Sequence, residues 1–340
     1  MRARSGLILA AAVIRSGIWA EPDSEALRRV AVDPWSATRL DAAEFRARNW
    51  LGPLVAWLTR ATSPTAFFIL HLILGLLAAS LWMRLVSRDA RPEDRWPLLL
   101  VLAATPGLAL PFFWVGNDAV TLLLLAGLVM ARRSLVATGI LAVLVGLNHF
   151  EHGLVVLATL TAWTMLHRSS LRHRSTSLAP PAIGVGGLFL ARIAQERVFD
   201  AAGATRIPSR LAINLTERTD YESITSMFFL APLAAWSLLG LGTVVILVAS
   251  PLRLRLACCL ALAAAPALIA FDQTRVFAIT SLPVTVVALI ESRAAVADWV
   301  RRHRTLMIVL FVVTPWLWLD SWKISGSATP YTLLWILDRL

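Results

Sequence analysis

GNDAVTLLLLAGLVMARRSLVATGILAVLVGLNHFEH, residues 116–152, decides how the rest of the chain is read. A polar corner, Gly116-Asn117-Asp118, opens an apolar run that Arg132-Arg133 interrupts. A second apolar run then ends at Asn148-His149-Phe150-Glu151-His152. Each run is about 14 residues, short of the ~20 that a helix needs to cross a bilayer core. Two short helices hinged at the arginine pair bring both polar corners to one membrane face, with Asp118 and Glu151 at the surface or just inside it. Ionisable groups at that depth are costly and are functional candidates by default.

The wider composition agrees. The chain has 340 residues, 58% hydrophobic and 16% charged, and a mean hydropathy of +0.70, far more apolar than a soluble domain. It reads as an integral, multi-pass membrane protein. Lys+Arg (32) exceed Asp+Glu (21), but the basic residues fall in short bursts between apolar runs, the positive-inside pattern. No basic stripe or recognition motif accompanies them, so no nucleic-acid partner is expected. Cys258 and Cys259 are adjacent within an apolar segment and read as packing residues, not as a disulfide or a metal site.

Outward from the central stretch, the expected fold is all-α, a polytopic transmembrane helix bundle forming a single domain over residues 1–340. Candidate spans lie near 64–83, 97–115, 118–131, 134–147, 153–166, 179–192, 224–249, 256–271, 276–290 and 306–320. With an uncleaved first helix, whose apolar run Arg15 interrupts without an A-x-A site following, these make about eleven spans, several of them short. Residues 21–60 form a first loop, where Leu40, Phe45, Trp50, Leu51 and Leu54 recur at loosely helical spacing and predict an interfacial helix over 40–57. A second loop, 193–223, mixes Arg197, Asp200, Arg206, Arg210, Glu217, Arg218, Asp220 and Glu222 with apolar residues. Arg84 to Arg95, Arg132/Arg133, Arg168 to Arg174, Arg253/Arg255 and Arg293 to Arg304 fall on alternate connections. That asymmetry puts the N-terminus in the cytoplasm and both acidic corners on the outer face.

Each polar constellation carries two readings. Asp118 either caps the following helix with the help of Asn117 or belongs to a site. Glu151 is either an interfacial residue paired to an arginine or a site acid. His149 and His152 share a helical face, but their spacing is not that of H-E-x-x-H, and no metal is expected. Asp272 and Arg275, three apart, either pair with each other, or Arg275 grips a phosphate through its guanidinium fork. Arg46 and Arg48, beside Phe45 and Trp50, suit anionic lipid headgroups. Asp33 precedes Pro34 and reads as a turn residue.

In order and in placement these features resemble the GT-C superfamily of polytopic glycosyltransferases, particularly its short bacterial members. The resemblance rests on an acidic first outer loop with Phe45-Arg46-Ala47-Arg48 and Pro53-Leu54, the Asn117-Asp118 corner, the Asn148-His149-Phe150-Glu151 corner, and Asp272-Gln273-Thr274-Arg275-Val276. It covers roughly residues 1–290. The chain departs from the pattern in having no adjacent acidic pair in the first loop. The resemblance implies sugar transfer from a polyprenyl-phosphate-linked donor on the outer face of a bacterial cytoplasmic membrane, within the cell envelope. Asp41, Glu44, Asp118 and Glu151 are then the candidate catalytic acids, with Asp41 as general base. Arg46, Arg48, Asn117, His149, His152, Asp272 and Arg275 line the substrate, and Arg275 clamps the phosphate. No particular cofactor is implied; membrane lipid is the expected surrounding partner.

Two other classes fit the same composition. A transporter or flippase needs polar groups along a path through the midplane, for which Arg15 and His71 are the candidates. A non-enzymatic membrane scaffold needs the acids only as caps and ion pairs. Cysteine-accessibility labelling tests the topology: positions 151 and 272 are expected to label from outside, and positions in 84–95 and 293–304 from the cytoplasm. Labelling of position 151 from the cytoplasmic side alone contradicts it.

Overall fold

The structure, a computed structural model, describes residues 2–132, 134–166, 171–205, 207, 221–270, 272–314, 316–320 and 323–327. Arg133 of the expected hinge and Arg206, Arg210, Glu217, Arg218 and Asp220 of the expected second loop lie outside these residues. In chain order the helices are α1 (Arg2–Ser16), α2 (Ser24–Val32), α3 (Ala37–Ala43), α4 (Leu51–Leu58), α5 (Pro64–Ser87), α6 (Arg95–Ala103), α7 (Pro106–Phe113) and α8 (Asp118–Ala131). They continue with α9 (Leu135–Met165), α10 (Leu171–Ala201), α11 (Tyr221–Ala249), α12 (Arg253–Ile269), α13 (Gln273–Glu291), α14 (Arg293–Arg302) and α15 (Arg304–Val313). Glu44–Arg48 is a 3-10 turn, and β1 (Trp316–Asp320) pairs antiparallel with β2 (Lys323–Ser327).

Among the described residues, five helical stretches are long and apolar enough to cross a membrane, or six if α6 and α7, bent by 58°, form one broken span. The helical, membrane-spanning character read from hydropathy holds at that level. Three local expectations do not. The single interfacial helix over 40–57 is broken into α3, the 3-10 turn and α4, because Glu44 takes a positive φ of 51° and Pro53 favours the first turn of a new helix. The apolar stretch 306–320 is helical only to Val313. Thr314, which precedes Pro315, is extended (ψ 119°), as a residue before proline prefers, and a strand follows. Residues 193–201, read as loop, continue α10.

The chain packs as two compact units, one of residues 1–19, 79–113 and 218–340, the other of residues 20–78 and 114–217. In the second unit, α9 is not one rod. His149 has non-helical dihedrals, φ −149° and ψ 80°, and the chain reverses there. A Cβ placed on Gly184 of α10 would lie 2.9 Å from Leu157 Cδ1 and 3.4 Å from Thr138 Cγ2. Those two residues would be about 28 Å apart along a straight helix. Likewise a Cβ on Gly153 would lie 2.8 Å from Val145 Cγ1. The legs 135–148 and 150–165 therefore run antiparallel, and α10 packs against both through small residues that let the backbones approach. Each leg is shorter than the ~20 residues of a straight span, as the opening stretch of sequence predicts.

In the first unit α13 is the centre, buried along almost its whole length, its buried polar groups included. Gly107 of α7 brings its backbone against Leu282, Thr280 Oγ1 donates to the Ala263 carbonyl of α12 (3.3 Å), and the Leu319 N–H of β1 donates to Thr274 Oγ1 (2.9 Å). Helix α11 breaks at Gly240, whose φ of 62° only glycine adopts readily. Just beyond, the Gly242 N–H donates to the Ala104 carbonyl at the α6–α7 bend, 2.9 Å away, so one break satisfies the other.

The close approach of the hairpin to α10 is testable. A Cβ on Gly146 would lie 2.7 Å from Ala191 Cβ and 3.1 Å from the Leu188 carbonyl, so Gly146→Val should destabilise by about 1–3 kcal/mol through overpacking. Gly186→Ala, where none of the described residues lies within 4 Å, should keep or slightly raise the thermal midpoint of detergent-solubilised protein, since alanine is the better helix former.

Candidate functional site

The polar corners of the second unit meet at one buried side chain. Asn148 ends the first leg of α9 and is fully buried. Its Oδ1 accepts the N–H of Gly52 (3.1 Å), and its Nδ2 donates to Thr121 Oγ1 (2.8 Å) and to the Asn117 carbonyl (3.3 Å). The Trp50 N–H donates to the Leu147 carbonyl at 3.1 Å, while Glu21 accepts the Asn117 N–H through Oε2 at 2.8 Å. Ala20 and Val115 form an isolated parallel bridge. Segments far apart in sequence thus converge on the reversal at His149, and their backbone polar groups satisfy one another away from water.

Asp118 and His149 form the ionisable part of this junction. Asp118, the first residue of α8, is fully buried, and its Oδ1 lies 3.4 Å from Nε2 of His149, which is 6% exposed. The rings of His149 and His152 lie 4.5 Å apart. Asn117 makes no capping bond to α8, so the capping role expected for it is not the one it takes. Among the described residues its buried amide has no hydrogen-bond partner, nor does His71 Nε2, whose Nδ1 contacts the Phe67 carbonyl at 2.8 Å. Gly52 sits against both: a Cβ there would overlap Asn117 Oδ1 and lie 3.5 Å from His71 Nε2. Any larger residue there requires the Asn117 amide to move.

The other sequence candidates divide into two sets. Glu151 follows the hinge and acts electrostatically on Arg192 of α10, whose guanidinium lies over the Phe150 ring. Asp41 falls in the last turn of α3 instead of heading a helix, and its Oδ1 accepts the N–H (2.9 Å) and the O–H (2.7 Å) of Thr205. Glu44 is exposed, 3.9 Å from Arg46. Arg46 pairs with Asp23 (2.6 Å) and Arg48 with Glu196 (2.6 Å) and the Ile207 carbonyl. Asp33 accepts the Trp35 N–H at 3.2 Å, the turn expected beside Pro34. Asp272 and Arg275 belong to the first unit, where they pair at 3.3 Å with Arg275 2% exposed. Arg15, also in that unit, is buried and donates to the Thr314 carbonyl.

The structure therefore joins Asn117, Asp118, His149 and His152, with Glu151 next in sequence. It sets Asp41, Glu44, Arg46 and Arg48 on the first-loop layer. Sequence reasoning quoted Asn148 in the corner motif without assigning it a role, and passed over Glu21, Gly52 and Thr121. A lone Asn inside an apolar run and the Gly-Pro step after Trp50 were the available signals. They point across long sequence separations to partners that local pattern does not name.

Asn148→Leu keeps size but leaves the Gly52 N–H and the Thr121 hydroxyl buried and unpaired, each costing about 1–3 kcal/mol. The expected result is a large drop in thermal midpoint, compared with a small one for Thr121→Val, which removes one bond. Comparison with protein-family models, curated proteins and solved structures returns no match for this chain.

Proposed function

We propose that the protein is a membrane glycosyltransferase of the GT-C kind, taking a sugar from a polyprenyl-phosphate-linked donor at the outer face of a bacterial cytoplasmic membrane. The observation that carries this reading is the buried Asp118–His149 pair at the reversal of α9. A carboxylate holding an imidazole is a proton acceptor of the kind glycosyl transfer requires. In the transfer the acceptor oxygen attacks the anomeric carbon and its proton passes to the base. The bond from that carbon to the phosphate oxygen breaks, and the polyprenyl phosphate leaves with the electron pair. The 3.4 Å separation is long for a hydrogen bond, as catalytic contacts often are before substrate binds. On this reading the eleven apolar passes are α1, α5, α6 with α7, α8, the two legs of α9, α10, α11, α12, α13 and α15.

Asp118 displaces Asp41 as the preferred base because it is buried against an imidazole, whereas Asp41 lies in the first-loop layer and accepts from Thr205. Asp41, Glu44 and Glu151 remain the competing acids. Arg46 and Arg48, in the same unit as Asp118, are the groups available to a donor phosphate, which would exchange with Asp23 or Glu196. Those same pairings favour a second reading, a non-enzymatic membrane scaffold in which the charges serve only to hold helices and loops.

Proteoliposomes carrying the protein and radiolabelled undecaprenyl-phosphate sugars separate the two. Asp118→Asn should lower transfer by roughly a hundredfold or more with donor binding retained, and Arg48→Lys should weaken donor binding because the bidentate fork is lost. Near-normal transfer by Asp118→Asn removes the base assignment. A wild type that binds none of the lipid-linked sugars leaves the scaffold reading.

A further inference from the structure

A groove on the first unit has a different chemistry from the junction around Asn148. It encloses about 560 Å³ and is lined by Leu7 and Ile8 of α1, Trp96 and Leu100 of α6, and Arg304 and Ile308 of α15. That volume lies within the roughly 300–1,000 Å³ of small-molecule sites. Four of its six lining residues are aliphatic, and both α1 and α15 are apolar helices with outward side chains such as Leu7, Leu306 and Val309, 69%, 49% and 49% exposed. In a membrane protein those side chains face acyl chains already, so an amphiphile enters the groove from the side without leaving the bilayer.

The charge at the groove is specific. Arg304 sits over the Trp96 ring, 5.4 Å from its centroid. Its neighbours on α14 are occupied: Arg301 pairs with Asp94, and Arg302 with Asp298 at 2.7 Å. Among the described residues no carboxylate pairs with Arg304. An exposed guanidinium braced on an indole, above an aliphatic slot, matches a phosphate ester joined to a hydrocarbon chain. The ring holds the cation, the fork meets two phosphate oxygens, and the slot takes the chain by apolar burial.

We propose that this groove is a binding site for an anionic phospholipid, its phosphate on Arg304 beside Trp96 and one acyl chain along Leu7, Ile8, Leu100 and Ile308. The site is separate from the proposed transferase residues and does not depend on that reading. It belongs to the end of the unit where Arg95, Arg301, Arg302 and Arg304 cluster in sequence, the side on which positive-inside bias places anionic headgroups.

Native mass spectrometry of the detergent-purified full chain tests it, using dioleoyl phosphatidylglycerol, dioleoyl phosphatidylcholine and inorganic phosphate as probes. The wild type should hold phosphatidylglycerol about tenfold more tightly than phosphatidylcholine, whose own choline cation offsets the phosphate charge that Arg304 meets. Arg304→Gln should abolish that preference while still taking up either lipid. Ile308→Trp, at a position 42% exposed and so tolerant of bulk, should lower occupancy by both lipids. Thermal midpoints matching the wild type show that both variants fold. The proposal is overturned if Arg304→Gln keeps the preference, if Ile308→Trp leaves occupancy unchanged, or if inorganic phosphate alone displaces the lipid, which would make the site a free-anion site.

Discussion

A chain reversal inside an apolar helix is a demanding thing to build, because every backbone group that leaves the helical ladder must find a partner where no water is at hand. At His149 the ladder of α9 stops, and the first loop supplies the partners. Trp50 gives its N–H to the Leu147 carbonyl, Gly52 gives its own to the Asn148 side chain, and the same amide reaches Thr121 and the Asn117 carbonyl at the start of α8. Residues 20–58, which look like a polar linker, are therefore a structural part of the helical hairpin. The indole of Trp50, donating to the Pro34 carbonyl at 3.1 Å, ties the loop's earlier half to the same point.

The parts of this arrangement that local pattern encodes were legible. The second polar corner, Asn148 to His152, separates two apolar runs too short to cross a bilayer, and the helix breaks at that corner. The stretch read as a span at 276–290 is helical and buried along almost its whole length. Longer-range features were not legible. Nothing near Asn148 in sequence names Gly52 as its partner, and nothing near Arg48 names Glu196. The apolar pattern over 40–57 predicts one helix, but periodicity carries no information about the backbone conformation of Glu44, and the stiff Pro53 starts a new helix. Pro315 was the readable signal that 306–320 could not stay helical, and hydropathy alone overrode it.

Charge placement separates the two functional readings. Most arginines proposed for phosphate contact already hold carboxylates of their own chain, at distances from 2.6 Å for Arg46 and Arg48 to 3.3 Å for Arg275. The two first-loop pairs are half-buried, with Arg46 and Arg48 side chains 29% and 10% exposed, so a ligand phosphate has to replace the carboxylate that it displaces. Arg275 is different, being 2% exposed, and removing its partner would strand a buried charge at a cost of about 3–5 kcal/mol. A transferase built on this chain would therefore recruit its first-loop arginines more readily than Arg275, whereas a scaffold would use all of them as they stand. The Asp118–His149 pair is the feature that a scaffold has least need of, since an apolar pair of the same volume would hold the hairpin at least as well.

The reversal at His149 is the claim on which the rest depends, and one distance measures it. Nitroxide labels at Val136 and Met165, 73% and 50% exposed near the open ends of the two legs, report whether α9 is folded or straight. A folded hairpin with helix axes about 10 Å apart gives a pulsed-EPR distance under about 20 Å. A continuous helix from Leu135 to Met165 would separate the labels by about 43 Å, and that result would remove the junction around Asn148 together with the site built on it.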